Sequence, residues 1–84
     1  EELDAMDGIV ESAVVGVPDA DFGERVVAAV KPGDEPPTAE EIIARLKERL
    51  AGYKVPKQIH FVDELPRNVM GKVQKNVLRE RYGS

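Results

Sequence analysis

The fold is decided by residues 13–30, AVVGVPDADFGERVVAAV, in which two apolar runs are separated by a polar turn. Both runs are rich in valine, whose branched side chain favours extended backbone. Pro18 to Asp21 supplies the proline and aspartates that are typical of turns. We therefore predict a strand over Val10 to Val17, closed by Gly16 and Pro18, and a second strand over Arg25 to Lys31. Because the connection is short, the two strands should pair antiparallel.

Three further elements follow these strands. Thr38, with Glu41 three residues later, has the pattern of a capping box and predicts the start of an amphipathic helix. Gly52 is expected to end this helix. A third strand is predicted at Gln58 to Val62, and a closing helix at Gln74 to Tyr82.

The order of the predicted elements gives the fold class. Leu3, Met6 and Ile9 recur at helical spacing and predict the end of a helix at the start of the chain. The order is then roughly α-β-β-α-β-α, an α+β domain with a small three-stranded sheet and flanking helices. A chain of 84 residues buries only about 60% of its unfolded surface, so we expect one domain with a modest core.

Charge is distributed unevenly along the chain. The net charge is −4, but residues 1–53 contain 5 Lys/Arg and 13 Asp/Glu, whereas residues 54–84 contain 7 Lys/Arg and 3 Asp/Glu. A cationic face suits phosphate groups through electrostatic focusing. The alternative is a solvated surface on which lysines happen to cluster.

The composition argues against thiol chemistry, a metal site, a phosphate-binding loop and a membrane span. The chain has no Cys, and its single His60 has no obvious metal-ligand partners, so we expect His60 to be structural rather than an acid or base. No glycine-rich phosphate loop is present, and no apolar stretch approaches the roughly 20 residues that span a bilayer. We therefore expect no catalysis by the chain alone, no membrane partner and a cytoplasmic location.

The strongest functional signal is the segment 65–75, LPRNVMGKVQK, which places Lys72 directly after Gly71. Pro66 fixes its own φ, while Asn68 and Gly71 tolerate positive φ, so the segment predicts a tight exposed turn. A rigid turn can hold an ammonium group against a ligand. The alternative for Lys72 is an ordinary surface lysine.

The pattern Pro-x-x-x-x-Gly-Lys resembles the C-terminal signature of the adenylate-forming superfamily, the acyl-CoA synthetases and their relatives. Three other segments match in the order that the family uses, namely Val14 to Asp19, Phe22 to Glu24 and Tyr53 to Lys57. The run from Pro66 to Tyr82 is most similar to malonyl-CoA synthetases. The resemblance implies that residues 1–84 are the C-terminal lid domain of an acid–CoA ligase, with the N-terminal catalytic domain and the hinge outside the chain.

The resemblance also implies roles for individual residues. Lys72 would be the adenylation lysine, which stabilises charge as a carboxylate joins the α-phosphate of ATP. The candidate substrate- or cofactor-binding residues are Lys54 and Lys57, which could face the phosphates of CoA, Arg67, which could meet a carboxylate of the larger domain, and Gly71, which allows close backbone approach. Solvent exposure, or for Gly71 a plain turn position, is the alternative for each.

The implied parent enzyme uses ATP and CoA as substrates, with Mg bound beside ATP by the absent domain. The first partner is that N-terminal catalytic domain, against which the lid rotates between adenylation and thioester formation. Lys72 is also a candidate for reversible acetylation, which makes a lysine acetyltransferase and a deacylase possible partners.

The alternative function is a non-catalytic interaction module that binds RNA or an acidic protein through the basic C-terminal third. Phe61 and Tyr82 are the aromatic residues of that third, whereas proteins that bind single-stranded nucleic acid usually interleave aromatic and basic side chains. We therefore expect no nucleic-acid partner.

Overall fold

A three-stranded sheet and two α-helices make up the computed structural model, which describes residues 6–21 and 23–83. The strands are β1 (Ile9–Asp19), β2 (Gly23–Pro32) and β3 (Gln58–Phe61), the helices are α1 (Ala39–Lys47) and α2 (Lys75–Tyr82), and a short 3₁₀ turn occupies Gly52–Lys54. The predicted α+β class and the order of these elements are confirmed. Within the described ranges, no helix is long and apolar enough to cross a membrane.

β2 is the central strand of the sheet. It pairs antiparallel with β1, where Val15 lies opposite Val27, and parallel with β3, where Ala29 lies opposite His60. The predicted antiparallel pairing of the first two strands is thus confirmed. The stretch from Val27 to Val30 is fully buried. Successive side chains of a strand point to opposite faces, so this stretch contributes to a core on each side of the sheet.

The two faces of the sheet bury separate hydrophobic clusters. The α1 side combines strand residues with the helix and the segment after it, in the set Ile9, Ala28, Val30, Ile42, Leu46 and Val55. The α2 side combines strand residues with the end of the chain, in the set Ala13, Val15, Val17, Val27, Ala29, Leu65 and Leu78. Leu65 and Leu78 lie on either side of the segment that contains Lys72, so this segment is anchored in the core at both ends.

β1 is longer than predicted. It runs through Gly16 and Pro18 to Asp19, whereas these two residues were expected to close it. The physical reason is position, because β1 is an edge strand of the described sheet and an edge tolerates the missing N–H of Pro18.

The start of α1 follows the predicted capping box. The backbone N–H of Glu41 donates to Thr38 Oγ1 over 3.1 Å, and the backbone N–H of Thr38 donates to Glu41 Oε1 over 2.9 Å. The predicted end at Gly52 is wrong, since α1 ends at Lys47. The N–H of Glu48 donates to the Arg45 carbonyl three residues back, which tightens the last turn. Leu50 then packs against the α1-side cluster, and Val55 lies in it.

The predicted opening helix falls mostly on residues 1–5, which lie outside the described residues, as does Phe22. Within the described part, Met6 to Gly8 form a turn and Ile9 begins β1, so Ile9 is a strand residue rather than a helical one. Ile9 is buried in the α1-side cluster, and this packing explains its apolar character. Gly8 has a φ of 87°, and a Cβ there would lie 2.6 Å from the Glu35 carbonyl oxygen.

Candidate functional site

The candidate site is the lysine loop, residues 66–74, between Leu65 and α2. The loop is a small hairpin in which Arg67 and Val73 form an isolated antiparallel bridge. The N–H of Gln74 donates to the Pro66 carbonyl over 2.8 Å, and the N–H of Asn68 donates to the Lys72 carbonyl over 3.0 Å. These bonds make the exposed segment an ordered projection, as the sequence predicts.

Asn68 closes the tip of the loop. Its carbonyl accepts the N–H of Gly71 over 2.9 Å, and its side-chain Oδ1 accepts the N–H groups of Met70 and Lys72 over 2.9 and 3.0 Å. Of the two residues expected to tolerate positive φ, Gly71 adopts it, with φ 84°, and Asn68 does not. Asn68 instead contributes its side chain as an acceptor for the backbone of its own turn.

Arg67 ties the loop to the sheet. One guanidinium nitrogen donates to the Gly71 carbonyl, and another pairs with the Glu11 carboxylate on β1. The sequence predicts that Arg67 meets a carboxylate of the larger domain or stays solvated, whereas its acidic partner in the structure is in this chain. Sequence gives no signal for Glu11, because 56 residues separate the two and only the fold brings them together. Whether Arg67 also binds a ligand stays a prediction.

The contacts of Arg67 with the Gly71 carbonyl and with Glu11 form a polar clamp. Lys72 and Gly71 are exposed beside it. The ammonium group of Lys72 makes no hydrogen bond or ion pair with residues 6–21 or 23–83 in this structure. Val69 and Met70, at the tip, are also exposed, with relative accessibilities of 105% and 88%. A cation therefore stands next to two adjacent apolar side chains on a hydrogen-bonded projection. Large apolar side chains placed together in solvent often mark a contact surface.

Lys54 and Lys57 lie elsewhere on the sheet. Lys54 ends the 3₁₀ turn, and the N–H of Lys57 donates to the Val26 carbonyl over 2.8 Å just before β3. Arg67 attaches at Glu11, which is paired with Lys31 of β2. Val26 and Lys31 are five residues apart, about 16 Å along an extended strand. The structure therefore separates the two lysines from the lysine loop instead of joining all the predicted residues in one site.

His60 packs against the last helix. Its ring stacks on Tyr82 with a centroid separation of 3.9 Å and an interplanar angle of 6°. Its Nε2 is buried and has no hydrogen-bond partner among the described residues. The stack supports the structural role expected for His60. No group of three or more His, Cys, Asp or Glu that could hold a metal ion occurs in the described ranges.

Comparison with known proteins identifies relatives of this chain. A (7a-methyl-1,5-dioxo-octahydro-1H-inden-4-yl)propanoyl:CoA ligase of Rhodococcus jostii (strain RHA1) is 52% identical over 80 residues, which cover 93% of this chain and 15% of that protein. A feruloyl-CoA synthase of Amycolatopsis sp is 45% identical over 83 residues, which cover 98% of this chain and 17% of that protein.

Solved structures share the fold. ATP-bound MatB from Rhodopseudomonas palustris matches with a TM-score of 0.92 at 55% identity, over 96% of this chain and 16% of that one. The chain thus spans about one sixth of the length of the proteins it resembles. Residues 1–72 match the family model described as the AMP-binding enzyme C-terminal domain. The chain therefore belongs to the AMP-binding enzyme C-terminal domain family, and its CoA-ligase relatives carry the same domain.

Proposed function

We propose that this chain is the mobile C-terminal domain of an ATP-dependent acid–CoA ligase and that it supplies Lys72 to the adenylation step. The observation that supports this most directly is the exposed ammonium group of Lys72 on a loop whose backbone is hydrogen-bonded on both sides of it. An exposed lysine in a family of CoA ligases is useful for chemistry only if a second surface brings the reactants to it. The part of each relative that this chain does not match is most of its length, and it offers such a surface.

The chemistry needs a positioned cation. A carboxylate oxygen attacks the α-phosphorus of ATP, and the bond to pyrophosphate breaks, so negative charge is redistributed around phosphorus. The Lys72 ammonium group has three donors and can contact a carboxylate oxygen and a phosphate oxygen together. ATP, Mg²⁺ and the acyl group would be held by the rest of the protein, and this chain alone should release no pyrophosphate from ATP.

Val69 and Met70 are suited to docking the loop on that larger domain. Both are almost fully exposed, and burying a large apolar side chain stabilises a contact by roughly 1.5–3 kcal/mol. The tip would enter an apolar recess and thereby bring Lys72 to the reacting atoms. The N-terminal catalytic domain is the partner that this proposal requires.

The separation of Lys72 from Lys54 and Lys57 fits a two-step enzyme. One end of the sheet presents the lysine loop, and the other presents two exposed lysines beside Pro56. A rigid rotation of the domain would move the lysine loop away from the reacting atoms and bring the other end of the sheet to them. Lys54 and Lys57 would then meet the phosphates of CoA after Lys72 has left the reaction site. Arg67 has no assigned ligand in this scheme.

The acid that we propose is malonate. Support comes from the likeness to MatB, a malonyl-CoA synthetase among the structural neighbours, at 55% identity. The acyl pocket lies outside this chain, and its CoA-ligase relatives include one named for ferulate. Pyrophosphate release by the full-length protein with malonate, compared with ferulate, tests the assignment; faster turnover of ferulate would reject it.

Lys72 is also proposed as a site of reversible acetylation. Its exposure on a projecting loop leaves the amine accessible, and acetylation would remove the charge that adenylation needs. Peptide mass analysis of the full-length protein, before and after treatment with a lysine deacylase, is the direct measurement. Absence of the modification from the native protein would reject this proposal.

No observation among the described residues favours the alternative of an RNA- or acidic-protein-binding module.

The decisive experiment is Lys72→Ala in the full-length protein, assayed for both half-reactions. We expect acyl-adenylate formation to fall roughly 100- to 1000-fold, because one preorganised charge donor is lost. Thioester formation from preformed acyl-adenylate and CoA should stay within about twofold. Lys75→Ala is the matched control, since Lys75 is an exposed lysine three residues further on, in the first turn of α2. Equal loss of both half-reactions, or no loss, would overturn the proposal.

A further inference from the structure

The peptide group that joins Gly71 to Lys72 is held at both of its polar ends. Its carbonyl oxygen accepts a hydrogen bond from Arg67 Nη1. Its N–H, which belongs to Lys72, donates to Asn68 Oδ1 over 3.0 Å. The next carbonyl, that of Lys72, accepts the N–H of Asn68 over 3.0 Å. Hydrogen bonds thus fix the backbone on both sides of the Lys72 Cα.

This arrangement determines where the Lys72 side chain starts. The direction of a Cα–Cβ bond is set by the two peptide planes that flank it, and the lysine stem adds only its own rotatable bonds. The loop tip has no buried side chain to orient it, since Val69 and Met70 both face solvent. Polar contacts from Asn68 and Arg67 are therefore what orients the backbone of Lys72.

Glu11 extends the clamp to the sheet. The Arg67 guanidinium donates to the Gly71 carbonyl and to the Glu11 carboxylate at once, which its planar fork permits. Glu11 lies on β1, where it pairs with Lys31 of β2. The two side chains of this ion pair are only partly exposed, at 36% for Arg67 and 32% for Glu11. The loop is thus attached to β1 near the end of its pairing with β2, next to the register shift between Ile9 and Glu11.

We propose that Asn68, Arg67 and Glu11 are positioning residues that hold Lys72 in the geometry adenylation requires. The proposal rests on the function proposed for Lys72. It assigns Arg67 to the support of the loop rather than to a ligand, and it gives Glu11, on the first strand, a role in a reaction at the other end of the chain. A group misplaced by about 1 Å can lower a rate about 100-fold, so such support is kinetically visible.

The first test is hydrogen–deuterium exchange of the lysine loop in the full-length protein. Asn68→Ala should speed exchange of the peptide that contains residues 66–74 at least tenfold, because the acceptor for two of its N–H groups is removed. Asn68→Asp keeps an acceptor oxygen in the same place and should restore slow exchange. Glu40→Gln is the matched control, since Glu40 is an exposed carboxylate in the first turn of α1 and takes no part in the loop contacts. An unchanged exchange rate in Asn68→Ala would overturn the proposal that Asn68 holds the backbone of the lysine loop.

The second test separates positioning from ligand binding. If Arg67 positions Lys72, Glu11→Ala should lower kcat for acyl-adenylate formation by roughly ten- to a hundredfold, and Arg67→Ala should do the same with little change in KM for ATP. Arg67→Lys should be nearly as impaired as Arg67→Ala, because a lysine lacks the planar fork that reaches both acceptors. If Arg67 instead binds ATP, Arg67→Ala will raise KM and Glu11→Ala will leave both constants unchanged, which overturns the proposal.

Lys72→Ala distinguishes failure of the inference from failure of the proposed function. Should Lys72→Ala leave adenylation unchanged, the function assigned to Lys72 fails, whatever exchange shows about the loop. Should Lys72→Ala abolish adenylation while Glu11→Ala and Asn68→Ala do not lower it, the function holds and the positioning roles are rejected. Thioester formation from preformed acyl-adenylate should be unaffected in all three variants. This measurement is the control for folding, because a folding defect would impair both half-reactions.

Discussion

At the scale of single residues, the clearest local determinant is the pair Thr38 and Glu41. Each side chain accepts the backbone N–H of the other, so two N–H groups that the first turn of α1 would leave unpaired are satisfied. The hydrogen bond from the Thr38 backbone, followed by that from its side chain, holds the pKa of Glu41 below its ordinary value. Glu41 in the folded chain is therefore harder to protonate than in the unfolded chain.

This shift gives a pH-dependent stability with a definite sign. A carboxyl group whose pKa is depressed by folding stabilises the fold above its unfolded pKa, here about 4.5, and loses that contribution as pH falls through the lower folded value. We expect Glu41→Gln to lower the urea midpoint at pH 7 and to have a smaller effect at pH 3. Glu40→Gln, in the same helical turn, is the control. An equal effect of Glu41→Gln at both pH values would contradict the assignment.

At the scale of elements, α2 is fastened to the sheet by packing at two points. Leu78 is fully buried in the α2-side cluster, and the Tyr82 ring stacks on His60 of β3. Arg25 adds a hydrogen bond from β2 to the carbonyl of Tyr82 over 3.2 Å. Because the lysine loop leads directly into α2, the same contacts hold the C-terminal end of the loop.

His60→Phe tests whether the imidazole is structural. Phenylalanine keeps an aromatic ring for the stack and removes the buried unpaired Nε2, so the free energy of unfolding should be unchanged or higher. His60→Ala should lower it by about 0.5–1.5 kcal/mol or more, since it removes an aromatic pair. Chemical denaturation measures both effects. Loss of adenylation in a stably folded His60→Phe variant would contradict the structural role and show that the imidazole takes part in the reaction.

At the scale of the whole molecule, the sheet separates two basic regions along its strands. The lysine loop is attached at the Glu11 end of β1, and Lys57 enters β3 beside Val26, about 16 Å away along β2. On one domain, two groups separated by this distance contact different parts of a ligand. We assign them to different steps of the proposed reaction.

The double variant Lys54→Ala/Lys57→Ala tests this division in the full-length protein. We expect KM for CoA to rise roughly tenfold in thioester formation, because two cations that we propose bind its phosphates are removed, while acyl-adenylate formation stays within about twofold. This is the reverse of the pattern expected for Lys72→Ala. Slower adenylation with unchanged use of CoA would contradict the division of roles.

Local sequence patterns predict most of the elements, though not all of their ends, and they predict the exposed turn that carries the lysine. The valine runs around Pro18 to Asp21 specify two antiparallel strands, Thr38 and Glu41 specify the start of α1, and Pro66 with Gly71 specifies an exposed turn. These features follow from local backbone chemistry, which depends on residues close together in the chain, so a single sequence is enough to predict them.

The surroundings of that lysine depend on contacts between distant parts of the chain. The ion pair of Arg67 with Glu11 joins residues 56 positions apart, and the extent of β1 past Pro18 depends on its place at the edge of the sheet. The distance between the lysine loop and Lys57 likewise depends on the pairing of β2 with both neighbours. Such relations are fixed by packing between distant segments, and no local pattern of residues encodes them.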